Sequence, residues 1–104
     1  MASAPILIRA QLQGERTVVR ALMAHEMESG QRKDGDGRPI PAWHIHEIVV
    51  TLNARPVLTL RCGPSVSKNP FLRFALKGAK AGDRVGLAWL DTRGERRSAA
   101  VQVA

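Results

Sequence analysis

Cysteine occurs once in these 104 residues, tyrosine not at all, and the aromatic complement is two Trp and two Phe. A lone cysteine makes no intramolecular disulfide and no thiolate cluster, so neither can organise the chain. Four aromatics without Tyr make a poor stacking platform for single-stranded nucleic acid. Apolar runs end after a few residues, far short of the ~20 that a membrane-spanning helix needs, and no charged-then-apolar N-terminus reads as a signal peptide. No Gly-x-Ser-x-Gly elbow, Walker loop or dinucleotide fingerprint is present. Acidic residues are also scarce, with nine Asp and Glu against sixteen Lys and Arg, a net charge of +7. That excess favours acidic partners. The cations are scattered, with Arg32/Lys33 and Arg93/Arg96/Arg97 the only local concentrations, both in predicted turns. The expectation is a solvated basic surface with no nucleic-acid or membrane partner, and a stand-alone adaptor or nucleic-acid-binding β-domain is the alternative.

What is present reads as one ordinary globular domain spanning residues 1–104, with 44% apolar and 24% charged residues. Strand signals dominate. Ile6, Ile8, Ala10 and Leu12 alternate with Leu7, Arg9, Gln11 and Gln13, the period of a half-buried strand. The same alternation places Ile48, Val50 and Leu52 on one face, then Leu58, Leu60 and Cys62 in a strand from Val57 to Cys62. Leu72, Phe74 and Leu76 follow, then Val85, Leu87 and Trp89, and a last strand turns Ala99, Val101 and Val103 inward. Turns are expected at Asn53 to Pro56, Gly63 to Pro70, Gly82-Asp83 and Asp91 to Gly94. Residues 15 to 28 are ambiguous. Ala21 to Glu28 favours helix by propensity, with Gly30 as its stop, yet Thr17, Val19, Ala21, Met23 and Met27 fit one face of a strand. Propensity is the weaker argument, so a strand is expected there. Seven short strands and no clear helix predict an all-β, immunoglobulin-like antiparallel sandwich without the disulfide. The irregular stretch from Glu28 to Trp43 is long for a connection, and such stretches are often functional.

No constellation of catalytic or metal-binding residues emerges. Asp34-Gly35-Asp36-Gly37 invites a calcium-loop reading, but the sixth position holds Pro39 instead of Gly and the twelfth holds Ile45 instead of Glu. Two Asp-Gly turns explain it better. His44 and His46 are two apart and would share a strand face, with His25 as a third candidate ligand; residues at the mouth of a sandwich are the preferred account. A blue-copper centre needs two His, a Cys and usually an axial Met. Cupredoxins gather the Cys, the later His and the Met near the C-terminal end, whereas here His46 and Met27, the last of their kinds, both precede Cys62. Ser65, Ser67 and Cys62 have no neighbouring His to activate them. Cys62 reads as a small buried hydrophobe. The expectation is a non-enzyme with no catalytic residues, no metal and no cofactor. If Leu72, Phe74 and Leu76 face the core, Phe71 becomes an exposed aromatic beside the Asn69-Pro70 loop, and such groups mark partner surfaces; the competing account tucks it under that loop. Trp43 raises the same question.

Two segments carry a family resemblance. His25-Glu26-Met27-Glu28-Ser29-Gly30-Gln31-Arg32-Lys33-Asp34 resembles the His-x-Met-Glu-(Ser/Thr)-Gly-x-Arg-x-Asp stretch of the SoxZ family, and Gly63-Pro64-Ser65-Val66-Ser67-Lys68-Asn69-Pro70-Phe71 resembles its loop closing on Asn-Pro-Phe. Ile40-Pro41 and the run after it also fit. The resemblance implies the same fold and a non-catalytic subunit of the sulfur carrier of bacterial thiosulfate oxidation. Such a subunit forms a heterodimer with SoxY, whose C-terminal Gly-Gly-Cys-Gly-Gly arm carries the sulfur, and is docked transiently by the other sulfur-oxidation enzymes. Self-association of the lone chain stays open. With Val101-Gln102-Val103-Ala104 as its last residues and its only cysteine in mid-strand, this chain is not expected to be the arm-bearing subunit. The matched positions His25, Met27, Arg32, Asp34, Asn69, Pro70 and Phe71 are the candidate partner-binding residues. The residues alone read as cytoplasmic, whereas the resemblance implies a periplasmic protein exported with its partner; the latter is the expectation.

Overall fold

A computed structural model describes residues 6–104. Seven strands are formed: β1 Ile6–Gln13, β2 Arg16–Met23, β3 Ile45–Leu52, β4 Arg55–Arg61, β5 Phe71–Lys77, β6 Arg84–Asp91 and β7 Arg96–Gln102. They make two antiparallel sheets of order β1-β2-β5 and β4-β3-β6-β7. No helix and no disulfide occur among the described residues. This is the expected disulfide-free sandwich, with the fourth strand beside β3 on the larger sheet.

The ambiguous segment is strand as far as Met23, where alternation outweighs propensity once a sheet is available to cover it; residues 24–27 lie beyond β2, and Met27, at φ 52°, is buried without being part of the expected strand. Thr17, Val19, Ala21 and Met23 are buried, and β2 is the central strand of its sheet. The core is Ile6, Ala10, Val19, Ala21, Met23, Met27, Ile45, Ile48, Val50, Val85, Leu87, Trp89 and Val103. Its two sides differ. Beside β1 the sheets are stitched together, since Leu12 N–H donates to the Ala104 carbonyl at 3.1 Å and Ala104 N–H to that of Ala10 at 3.0 Å. On the other side β4 and β5 are both edge strands; their inward Leu58, Leu60, Leu72, Phe74 and Leu76, and Cys62 just past β4, are only partly buried.

Several boundaries differ from the sequence expectation. The β3–β4 turn is Asn53-Ala54, both at positive φ, so β4 begins at Arg55 and takes in Pro56. Proline is tolerated there because β4 is an edge strand. Cys62 lies just past β4, and Arg96 and Arg97 lie in β7 instead of a turn. Leu12 is exposed at the end of its strand. A bulge between Ile45 and Glu47 re-phases β3, so Ile45 and Ile48 are both buried with two partly exposed residues between them. His44 precedes the strand and His46 sits at the bulge, so the simple alternation behind a shared His face does not apply.

Candidate functional site

The two segments that carry the resemblance meet at one end of the sandwich. Beyond β2 the chain continues extended, and the approach to β5 pairs with it. Met23 N–H donates to the Pro70 carbonyl at 2.9 Å. Asn69 then clamps His25 twice: its Oδ1 accepts from His25 N–H at 3.0 Å, and its own N–H donates to the His25 carbonyl at 2.9 Å. Asn69 does this at φ 53°, a left-handed conformation that Asn tolerates better than most residues.

His25 is 6% exposed. Its Nδ1 accepts from Met27 N–H at 3.0 Å, so the ring hydrogen is on Nε2, which donates to Asp91 Oδ2 at 3.0 Å. The ring lies between two indoles, tilted against Trp43 at 4.9 Å and edge-on to Trp89 at 5.2 Å between centroids. Met27 holds φ 52°, unusual for a side chain of its size, and is anchored at both ends: its N–H on the imidazole, its sulfur receiving Ile45 N–H at 3.3 Å.

Asp91 is the hub. It is 1% exposed, and four donors converge on its carboxylate. Oδ2 accepts from His25 Nε2 and, at 2.8 Å, from Trp43 Nε1; Oδ1 accepts from Arg93 N–H and Glu95 N–H, each at 2.9 Å. Burial pushes this carboxyl up, but the hydrogen bonds from His25, Trp43 and the two amides outweigh it and hold it below its ordinary value of 3.8. Arg93 also places its guanidinium 4.0 Å above the Trp43 ring. The cluster therefore joins the end of β2, the lead into β3 and the β6–β7 turn, tying the small sheet to the large one.

The long connection is folded back on itself. Glu28 and Trp43 form one isolated bridge and Lys33 and Pro39 another. Arg32 pairs with Glu28 at 2.6 Å, which holds the Glu28 carboxyl below its ordinary value, and Asp34 Oδ1 caps the tip by accepting from Asp36 N–H and Arg38 N–H. The paired Asp-Gly residues form a turn closed by Gly37 N–H on the Asp34 carbonyl at 3.0 Å.

Of the candidate residues, then, His25 and Met27 are buried, Asn69 and Pro70 zip β5 to β2, Arg32 and Asp34 shape the exposed loop, and Phe71 is 61% exposed. Sequence reasoning passed over Asp91 as a turn residue and left Trp43 unassigned. The signal was period two carried one step further: Val85, Leu87 and Trp89 lead to Asp91, and Thr17 to Met23 lead to His25.

A buried His beside an Asp has the outline of a base and its orienting group. Here both ring nitrogens and both carboxylate oxygens are engaged within the fold, and the His25 side chain is 2% exposed. The geometry fits a structural lock. Burial raises the Cys62 thiol above its ordinary 9.0, which suppresses the thiolate. No group of three His, Cys, Asp or Glu side chains is placed to hold a metal among the described residues.

Fold and site together define a small, disulfide-free immunoglobulin-like sandwich in which the motif residues His25 and Asn69, with Asp91, hold one end closed. The family model described as Sulphur oxidation protein SoxZ matches residues 7–102, nearly the whole chain. The chain belongs to the SoxZ family, which places it in sulfur oxidation and implies a complex with SoxY. No curated protein matches it significantly.

Proposed function

We propose that this chain is the non-catalytic subunit of a sulfur carrier: it binds and stabilises a SoxY-like chain, which holds the sulfur intermediate on its C-terminal cysteine, and offers docking surface to the enzymes that process it. The observation that carries this reading is the family match over residues 7–102, with the two motif segments interlocked through Asn69 and His25. Supporting it, Cys62 is a poor carrier thiol: it is partly buried, follows an edge strand, and is held in its protonated form by burial. The net charge of +7 suits partners with acidic faces and would raise their association rates more than their affinity. Residence in the periplasm, reached by export with the partner, belongs to the same proposal; finding the chain exported from cells that lack the partner would contradict it.

The test is co-expression with a SoxY-like subunit, followed by size exclusion and native mass spectrometry. A stable 1:1 complex is expected. A monomer or self-dimer that ignores the subunit would refute the proposal.

A further inference from the structure

The outer face of the small sheet has an order that the fold does not need. Leu7, Leu22 and Phe71 are in register across β1, β2 and β5, and they are 58%, 41% and 61% exposed. Two residues along each strand, on the same face, Arg9, Arg20 and Arg73 form the next row. Among the described residues none of the three arginines has a salt-bridge partner, and none of the three strands contains Asp or Glu. Arg16 opposite Lys77 adds two more cations at the far end of the sheet.

Like charges placed directly opposite destabilise a sheet, and a cluster of exposed large apolar side chains adds nothing to the fold. Both features become favourable when a partner supplies apolar contact and negative charge. Apolar anchors beside guanidiniums are the composition of energetically dominant interface positions. Rows two residues apart are separated by about 7 Å, and three strands span about 10 Å.

We propose that this outer face is where a second protein chain docks, and that the partner surface it fits has an apolar centre with carboxylates set about 7 Å to one side. Charge complementarity points to an acidic protein, and the apolar row points to a lasting contact instead of electrostatic encounter alone. The inference rests on the carrier reading above and deepens it, by assigning the face that holds the carrier subunit.

The experiment measures affinity between the full-length chain and a SoxY-like subunit, with Phe71→Ala, Leu7→Ser and the double substitution Arg20→Glu/Arg73→Glu, against Arg84→Glu on the large sheet as the control. All of these side chains except the partly exposed Arg20 are exposed, and thermal unfolding checks that each variant is folded. Phe71→Ala and the double substitution should each weaken binding about tenfold or more, and Leu7→Ser should act in the same direction from a different strand. Arg84→Glu should change it less than about threefold, and the double substitution should flatten the salt dependence of the association rate. If the face variants bind as the wild type does, the assignment of the face is wrong and the carrier reading stands. If the wild type does not bind the subunit, both fall. If these residues instead mediate tighter binding of a single-stranded oligonucleotide or of anionic phosphatidylglycerol vesicles, the occupant is wrong.

Discussion

At the Asp91 end of the sandwich the polar groups are inside, whereas on the outer face of the small sheet the large apolar groups are outside. Each is the reverse of the usual arrangement, and the two reversals have different causes. On Asp91 itself four donors are accepted, so burial of the carboxylate, the His25 imidazole and the Trp43 indole N–H is compensated within the chain, and only the Trp89 indole N–H beside His25 is buried without a partner. Across Leu7, Leu22, Phe71 and the three arginines nothing among the described residues compensates exposure or like charge. A satisfied anomaly serves the fold; an unsatisfied one points to something outside the chain.

The comparison is broken most directly at Asp91. Replacing it with Ala removes the acceptor of four donors and should lower stability by about 3–5 kcal/mol in denaturant unfolding. A loss under about 1 kcal/mol would mean that the cluster is not a lock. The pH dependence follows from the depressed carboxyl. Its stabilisation is present above the unfolded value of 3.8 and is lost as pH falls through the lower folded value. The stability gap between wild type and Asp91→Asn should therefore narrow as pH falls through the acid range below 3.8.

A smaller effect is expected one step out. Trp43→Phe keeps a ring under Arg93 but loses the indole N–H on Asp91, and should cost about 1 kcal/mol. The smallest effect on the isolated chain should come from the outer face. Arg20→Gln relieves repulsion from Arg9 and Arg73, so at low salt it should leave stability unchanged or raise it by a few tenths of a kcal/mol. A clear loss would show that the arginine row supports the fold itself, and the contrast between the two regions would disappear.

Most of the sandwich was legible in the chain because period two is a local property. The alternation through Leu72, Phe74 and Leu76 raised an outward Phe71 without deciding it against a ring tucked under the loop, and its 61% exposure agrees with the outward reading. The lock was half legible. His25 stood out by its motif and Asp91 lay in line with Val85, Leu87 and Trp89, but joining them requires knowing that β2 and β6 lie in opposite sheets with their ends together. The bulge at Ile45 to Glu47 was hidden for a related reason: its extra residue is defined only against the partner strand.

The amino-acid sequence by itself determined the strand count, most of the inward residues, the positive charge and the family stretch, since each depends on neighbours within a few positions. Only the tertiary structure decided which strands are edges, that Asn69 seats on His25, and that four donors converge on Asp91. It alone aligned Leu7 with Leu22 and Phe71, and Arg9 with Arg20 and Arg73, because cross-strand register is fixed by turns and by burial of the opposite face, which no local pattern contains.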